Sequence, residues 1–554
     1  MEAFPTLDEL RRMTVSQLEK VAEQLRAFIP ATTKEKKGHL ESSLTVTELT
    51  VALHHVFRTP EDILIWDVGH QAYVHKVITD RATEFHTNRQ LGGISGFPNR
   101  SESPFDAFGT GHSSTSISAI TGMAFEAHRK GLDIKHVAVI GDGALTGGMA
   151  YEGLNYLGQT DLDVLVLLND NRKAIDPNVG ALHESDSYEM FFQSLGIRWM
   201  GHVNGSNMDE LVHRLWEGKE ATGPRVLHIE TQSEILPSEG PNYSSEHPFQ
   251  DVFGEAILEK LESDPDLVVL SPAMLSGSGL AKARQLYPER VLDVAIAEQH
   301  AATMAAGIAA AGGKVLLHLY STFAQRAYDQ IIHDIALQNL PVTLAIDRAG
   351  LVGNDGATHH GAFDLAFLRP IPNITITAPR NGIELRNAVH TGLNHNGPFV
   401  IRYPRDTEAK FDAEGKFETL EYGRSQWLKE GSMLCLMATG TMSRRALEVA
   451  TILSKKGYEI GVLHHLFVKP LDEEALMQAA SYNHWVVLED SSLGGLGSAI
   501  SEWLSGRDAV NVDLDAIHLP DEFIEHGSVD ELHRQLGMDV KSVAKRCKNL
   551  LSGI

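Results

Sequence analysis

The stretch HVAVIGDGALTGG, His136 to Gly148, decides the fold. Its apolar run HVAVI reads as a buried strand, stopped by Gly-Asp-Gly and followed by the helical pattern ALTGGMAYEGLNYLG. Downstream, DVLVLL, Asp163 to Leu168, runs in the same way into Asn169-Asp170-Asn171. Short apolar runs closed by turn residues and followed by helical patterns are what parallel strands covered on both faces look like in sequence. GDG and NDN therefore stand at strand carboxyl ends, the edge of an open α/β sheet at which ligands bind.

The same alternation continues outward in both directions. Val226–Ile229 (VLHI) completes the first third, and the Pro/Ser/Glu-rich run from Ser233 to Gln250 reads as a linker. The middle third offers Asp266–Leu270, Val315–Tyr320, Val342–Asp347, Ile374–Thr377 and Phe399–Arg402 as strands, before a polar run from Asp406. The last third offers Leu434–Ala438, Ile460–Leu463 and Trp485–Leu488, then a helical tail. The expectation is α/β architecture in three consecutive domains with mainly parallel sheets. Their bounds are 1–232, a linker 233–250, 251–405, a linker 406–422, and 423–554. The GGLG run at Gly494–Gly497 fits helix-start packing better than a nucleotide loop.

Composition narrows the function. The chain has 554 residues, 43% of them hydrophobic and 22% charged, with mean hydropathy -0.14, and no stretch of about 18 apolar residues. That pattern is a globular one without a membrane span. Its 73 acidic against 48 basic residues give a net charge of -25, which repels nucleic acid and anionic membranes. An anionic ligand would need a local cluster of bases. With only Cys435 and Cys547 there is no disulfide framework, and the start MEAFPTLDEL has neither signal-peptide nor transit-peptide character, so the cytoplasm is the expected compartment.

GDG and NDN together carry chemistry. Glycines let backbone approach a phosphate, the helix that follows presents N–H groups, and Asp142 with Asn171 offers hard oxygens to Mg²⁺. A diphosphate held through Mg²⁺ is the implied ligand. This is the pattern of thiamine diphosphate enzymes. The resemblance narrows further with GHLESSLTVTELTVALHHVF, IWDVGHQAYVHKVITDR, DAFGTGHSSTSISA, DVAIAEQHAATMAAGIA, AIDRAGLVGNDGATHHGAFDLAFLR, FVIRYPR and LPDEFIEHGS. In that order, and over nearly the whole chain, these resemble the 1-deoxy-D-xylulose-5-phosphate synthase family.

The resemblance implies condensation of pyruvate with D-glyceraldehyde 3-phosphate with loss of CO₂, a step of isoprenoid and thiamine biosynthesis. It implies Mg²⁺ ligands at Asp142, Asn171 and the carbonyl of Lys173. It implies thiamine diphosphate contacts from His70, Gly111, His112, Ser113, Ser114, Gly141, Gly143, Ala144 and Phe323. Glu298 of AEQH matches the glutamate beside the cofactor's aminopyrimidine, where a carboxyl favours the imino tautomer whose nitrogen can take the thiazolium proton. His39 and His359 match histidines proposed for proton transfer at the acceptor aldehyde. Tyr320, Arg348, Asp355 and Arg405 match the acceptor site, the arginines as phosphate ligands.

The chain departs from that family in places. Lys173-Ala174-Ile175-Asp176, following Arg172, stands where the family carries Met-Ser-Ile-Ser after NDN. The stretch after NVGAL is short, and the linker lacks the usual lysine- and glycine-rich segment. In the family these regions help cover the site. The alternatives are a paralogue using another aldehyde, a transketolase, and an inactive cofactor-binding scaffold. The family is homodimeric, and the Ala/Gly-rich run AATMAAGIAAAGG is a candidate for close packing across an interface.

Overall fold

The apolar runs form strands in the computed structural model, which describes residues 4–33, 38–172, 176–184, 188–232, 247–408, 415–507, 510 and 512–552. Strands β1 (Ile63–Trp66), β2 (His136–Gly141), β3 (Val164–Asp170), β4 (Arg198–Asn204) and β5 (Arg225–Glu230) make a wholly parallel sheet in the order β1-β2-β3-β5-β4. β2 and β3 are almost wholly buried, because helices cover both faces. Val137, Val139, Leu165 and Leu167 enter one core, and Ala138, Ile140, Val166 and Leu168 the other. Gly141 is in register with Asn169, so GDG and NDN share one sheet edge.

The next strands are β6 (His247–Pro248), β7 (Leu267–Ser271), β8 (Val291–Asp293), β9 (Lys314–Tyr320), β10 (Val342–Asp347), β11 (Thr375–Thr377), β12 (Phe399–Arg402) and β13 (Thr407–Glu408). Then follow β14 (Gln426–Lys429), β15 (Leu434–Ala438), β16 (Ile460–His464), β17 (Phe467–Lys469), β18 (His484–Leu488) and β19 (Asp513–Ile517). The second sheet runs β17-β11-β12-β10-β9-β7-β8 and is parallel except for β17. The third runs β14-β16-β15-β18-β19 and is parallel except for β14. α/β architecture with mainly parallel sheets is what the structure has.

Contacts group the chain into two compact units: Met1–Pro241 with Ala295–Ala297, and Asn242–Val294 with Glu298–Ile554. The second unit contains both later sheets. Its largest core draws Leu317, Ile346 and Ile376 from one and Met437, Leu463, Val487 and Trp485 from the other. β17 also leaves the C-terminal region to pair with β11 of the middle sheet.

The expected linker 233–250 lies outside the described residues over 233–246. Its last residues are structured: His247–Pro248 pairs with Thr407–Glu408, and Phe249 starts the helix Phe249–Ser263. The alanine-rich helix Glu298–Ala310 turns all its alanines but the last inward. Ala301, Ala302, Ala305, Ala306 and Ala309 are buried within the chain's own core, because small side chains let the helix lie close to β9. GGLG is a helix start. Glu489 accepts from Leu496 N at 2.7 Å and Gly497 N at 2.8 Å, so a side chain of the chain itself fills the anion position there.

Candidate active site

In the first unit the site residues gather at the carboxyl ends of β1, β2 and β3. Beyond β1, Asp67 accepts from Ser114 N at 2.7 Å and Ser116 N at 2.9 Å, which fixes the GTGHSS loop at the start of the helix Ser116–Arg129. Ser114 has φ 68, a left-handed backbone that those bonds hold in place. Its hydroxyl donates to Ala144 O at 2.7 Å and thereby ties the loop to GDG. Gly147 admits that approach, since a Cβ there would lie 2.2 Å from Ser114 Oγ. Ile296, grouped with this unit, donates its N–H to Thr146 at 3.1 Å.

His70 follows β1, and its ring lies 6.1 Å from that of His39, which in turn lies 5.0 Å from Phe97. Burial, with His39 beside it, pushes the His70 imidazole down to about 3. It is a neutral ring at any physiological pH. His39 and His70 are thus brought together.

Asp142 is buried, and burial together with the Asp170 carboxylate pushes it up to about 8. Asp170 moves the other way: burial would raise it, but His228 at 3.0 Å, Asp142 and the Arg172 N–H hold it low. The proton of this pair therefore sits on Asp142. Asp142 Oδ2 accepts from Asn178 Nδ2 at 2.5 Å, while Oδ1 is buried with no hydrogen-bond partner. Asn171 is half-buried directly after β3, and Asn169 turns its side chain to Thr231 at 2.9 Å. Lys173 lies outside the described residues. A buried carboxylate oxygen with nothing to accept, beside a glycine turn and a fixed serine loop, fits a divalent cation carrying a diphosphate.

In the second unit the site residues sit at the carboxyl ends of β9, β10 and β12, with Glu298 as the first residue of its helix. Glu298 is buried. Burial raises its pKa against the pull of Arg326, 4.0 Å away, and Oε2 has no hydrogen-bond partner. Burial of this kind disfavours the charged form of the carboxyl.

Tyr320 stacks on Phe323 with ring centroids 5.6 Å apart, and Phe323 meets the edge of His359 at 5.7 Å. His359 Nδ1 is 2.8 Å from the Thr358 hydroxyl, which sets its ring orientation. Arg348 lays its guanidinium 4.4 Å from the Tyr320 ring centroid and is bonded to Asp347, the first residue of the DRAG motif. Arg405 is about half exposed, and its Nη1 lies 3.9 Å from Asp355. Tyr320, Phe323, Arg348, Asp355, His359 and Arg405 thus form one cluster, with each arginine facing a carboxylate. Burial also raises the Tyr320 phenol well above its ordinary value.

Sequence reasoning missed Asp67, Asp170, Asn178 and His228 in the first unit, and Arg326, Asp347 and Gln250 in the second. Asp67, Asp170 and Asp347 lie inside motifs already singled out, at strand ends, so a signal existed. Asn178, His228 and Gln250 belong to no motif. His360, by contrast, is structural: its ring nitrogens meet Val352 N and Glu525 O.

Comparison with known proteins gives the same reading. Residues 1–188 and 183–231 match the family model described as 1-deoxy-D-xylulose-5-phosphate synthase. Residues 246–408 match the transketolase pyrimidine-binding domain, and 423–543 the transketolase C-terminal domain. The 1-deoxy-D-xylulose-5-phosphate synthase of Chlorobaculum tepidum is 42% identical over 622 positions, covering 98% of each chain. That of Chlorobium luteolum is 43% identical over 611 positions, covering 98% of this chain and 96% of its own. Both alignments exceed this chain's length, so gaps fall opposite it. A solved structure described as a split-gene transketolase, an inactive β4 tetramer, is 28% identical with TM-score 0.50, covering 55% of this chain and 99% of its own. Identity of that size over nearly the full length settles membership: the chain belongs to the 1-deoxy-D-xylulose-5-phosphate synthase family.

Proposed function

We propose that this chain joins pyruvate to D-glyceraldehyde 3-phosphate, with thiamine diphosphate and Mg²⁺ as cofactors, giving 1-deoxy-D-xylulose 5-phosphate and CO₂. The observation that carries the reading is Glu298, a buried carboxyl with a raised pKa and an oxygen that has no hydrogen-bond partner, at the head of its helix. A group of that kind is suited to share a proton with a ring nitrogen. Thiamine diphosphate, when bound, supplies the nucleophilic carbon and the electron sink for loss of CO₂.

The chain's own residues supply the rest. Asp142, Asn171 and the Lys173 carbonyl would hold Mg²⁺, and the Gly111–Ser114 loop, Gly141, Gly143, Ala144 and His70 would line the diphosphate. Asp142 gives up its proton when a cation arrives. Phe323 would line the ring system. His39 and His359 would exchange protons with the acceptor's carbonyl oxygen. Arg348 and Arg405 would hold its phosphate, with Tyr320 and Asp355 beside it. Each arginine already faces a carboxylate, so recognition rests on directed N–H groups more than on net charge. The family relation also supports a homodimer.

The test is incubation with pyruvate, D-glyceraldehyde 3-phosphate and both cofactors, with CO₂ measured and the sugar identified by mass. The expected product is 1-deoxy-D-xylulose 5-phosphate, and Glu298→Ala should lower turnover at least about 10²-fold with the fold intact. Ketol transfer from xylulose 5-phosphate without CO₂ release would move the assignment to transketolase.

A further inference from the structure

We propose that Gln250 is a positioning residue for the acceptor's phosphate, acting by orienting the Arg348 guanidinium; this rests on the acceptor reading above. Arg348 directly follows β10 with φ 58, an unfavourable backbone that leaves its side chain dependent on what receives it. Its Nη2 donates to Gln250 Oε1 at 2.7 Å and to the Gly277 carbonyl at 2.8 Å, and Nη1 is bonded to Asp347. Both Nη2 hydrogens are thereby committed within the chain, which leaves the Nε–H of that edge for an oxyanion. The plane is set by the Tyr320 face beneath it.

The two partners on Nη2 are themselves locked together. Gln250 is the second residue of the helix Phe249–Ser263, and Gly277 lies in the loop Ser276–Gly279. Gly279 has φ 76, and a Cβ on it would come 2.3 Å from Gln250 O, so helix start and loop meet backbone to backbone. A Cβ on Gly277 would lie 2.5 Å from Tyr320 Oη, which seats the loop against the ring that Arg348 stacks on. Gln250, Gly277, Tyr320 and Arg348 are one contiguous cluster. Charge matters as well. Asp347 already offsets the guanidinium, and a second carboxylate in place of the Gln250 amide would leave a net negative charge where a phosphate must bind.

The experiment uses the full chain with thiamine diphosphate and Mg²⁺, and glycerol 3-phosphate as an unreactive probe of the phosphate site, its Kd measured by calorimetry. Gln250→Leu removes the acceptor and should weaken the probe about tenfold, the effect of one charge-assisted hydrogen bond. Gln250→Glu keeps an acceptor oxygen but adds charge. It should weaken the probe at least as much, with a loss that shrinks in raised salt. KM for D-glyceraldehyde 3-phosphate should rise in parallel, while kcat/KM for unphosphorylated D-glyceraldehyde stays within about twofold. Unchanged probe affinity in both variants, no binding to the unaltered protein, or an equal loss with the unphosphorylated aldehyde overturns the proposal. If the probe binds in a Gln250-dependent way and no 1-deoxy-D-xylulose 5-phosphate forms, the reaction assignment falls and the positioning role stands.

Discussion

Asp142 shows what a single side chain contributes to this site. One carboxylate oxygen is taken by Asn178, the other is buried without a hydrogen-bond partner, and Asp170 beside it forces a proton onto the pair. An ion that displaces that proton relieves the crowding of two carboxylates. Asp142→Ala should therefore abolish the melting shift given by thiamine diphosphate plus Mg²⁺. In the unaltered protein that stabilisation is about 2.7 kcal/mol at a hundredfold excess over Kd, and paired thermal scans read it. A shift of unchanged size would remove Asp142 from the cation site. Asp142 and Glu298 were legible because each stands in a motif whose residue types have a chemical reason. Asn178 and Gln250 were not, because an amide in a polar stretch looks the same whether or not it meets a carboxylate or a guanidinium.

At the scale of elements, most strands buried on both faces were legible, though β1 was missed, and half-covered ones were not. β2, β3, β9, β10, β12, β15 and β18 announce themselves as mainly apolar runs. β4, with its sequence RWMGHVN, is an edge strand with only Val203 fully covered, and β19 is partly exposed along most of its length, so neither has such a run. Packing between elements is set in places by glycine. The helix Gly148–Leu157 ends on Gly158, where a Cβ would fall 1.8 Å from the Leu195 carbonyl oxygen at the end of Tyr188–Ser194. That close approach seats the end of Tyr188–Ser194 against Gly158. Gly158→Ala should cost about 1–3 kcal/mol, as overpacking against backbone does, and lower the urea midpoint accordingly. A midpoint within error of the original would mean that the second helix is free to move away.

Across the whole molecule, buried histidines set the response to acid. Burial lowers His54, His75, His318 and His360, and takes His70 and His465 to about 3. Each folded value lies below that of the unfolded chain, so the unfolded state binds the extra protons. Their contribution is complete above about pH 6.5 and is lost as pH falls below it, at about 1.4 kcal/mol per pH unit for each fully shifted ring. Asp142, held protonated in the folded chain, works the other way from about pH 8 downward, but it is one group against six rings, so urea midpoints should drop between pH 6.5 and 5, with net uptake of more than about two protons on unfolding. A level profile through pH 5 would show those rings to be charged in the folded chain. Among the described residues no helix is long and apolar enough to cross a membrane.

The amino-acid sequence by itself determined the α/β class, the family, and the strand ends at which Asp142, Arg348 and Arg405 stand. Hydrophobic periodicity and glycine turns are local, and chain order carries them. Only the tertiary structure decided which partners those residues meet: Asp170 and Asn178 on Asp142, Gln250 and Gly277 on Arg348, and a shared core joining the later two sheets. Gln250 and Arg348 are 98 positions apart in the chain. A contact of that span is fixed by how sheets and helices pack, and no local pattern records it.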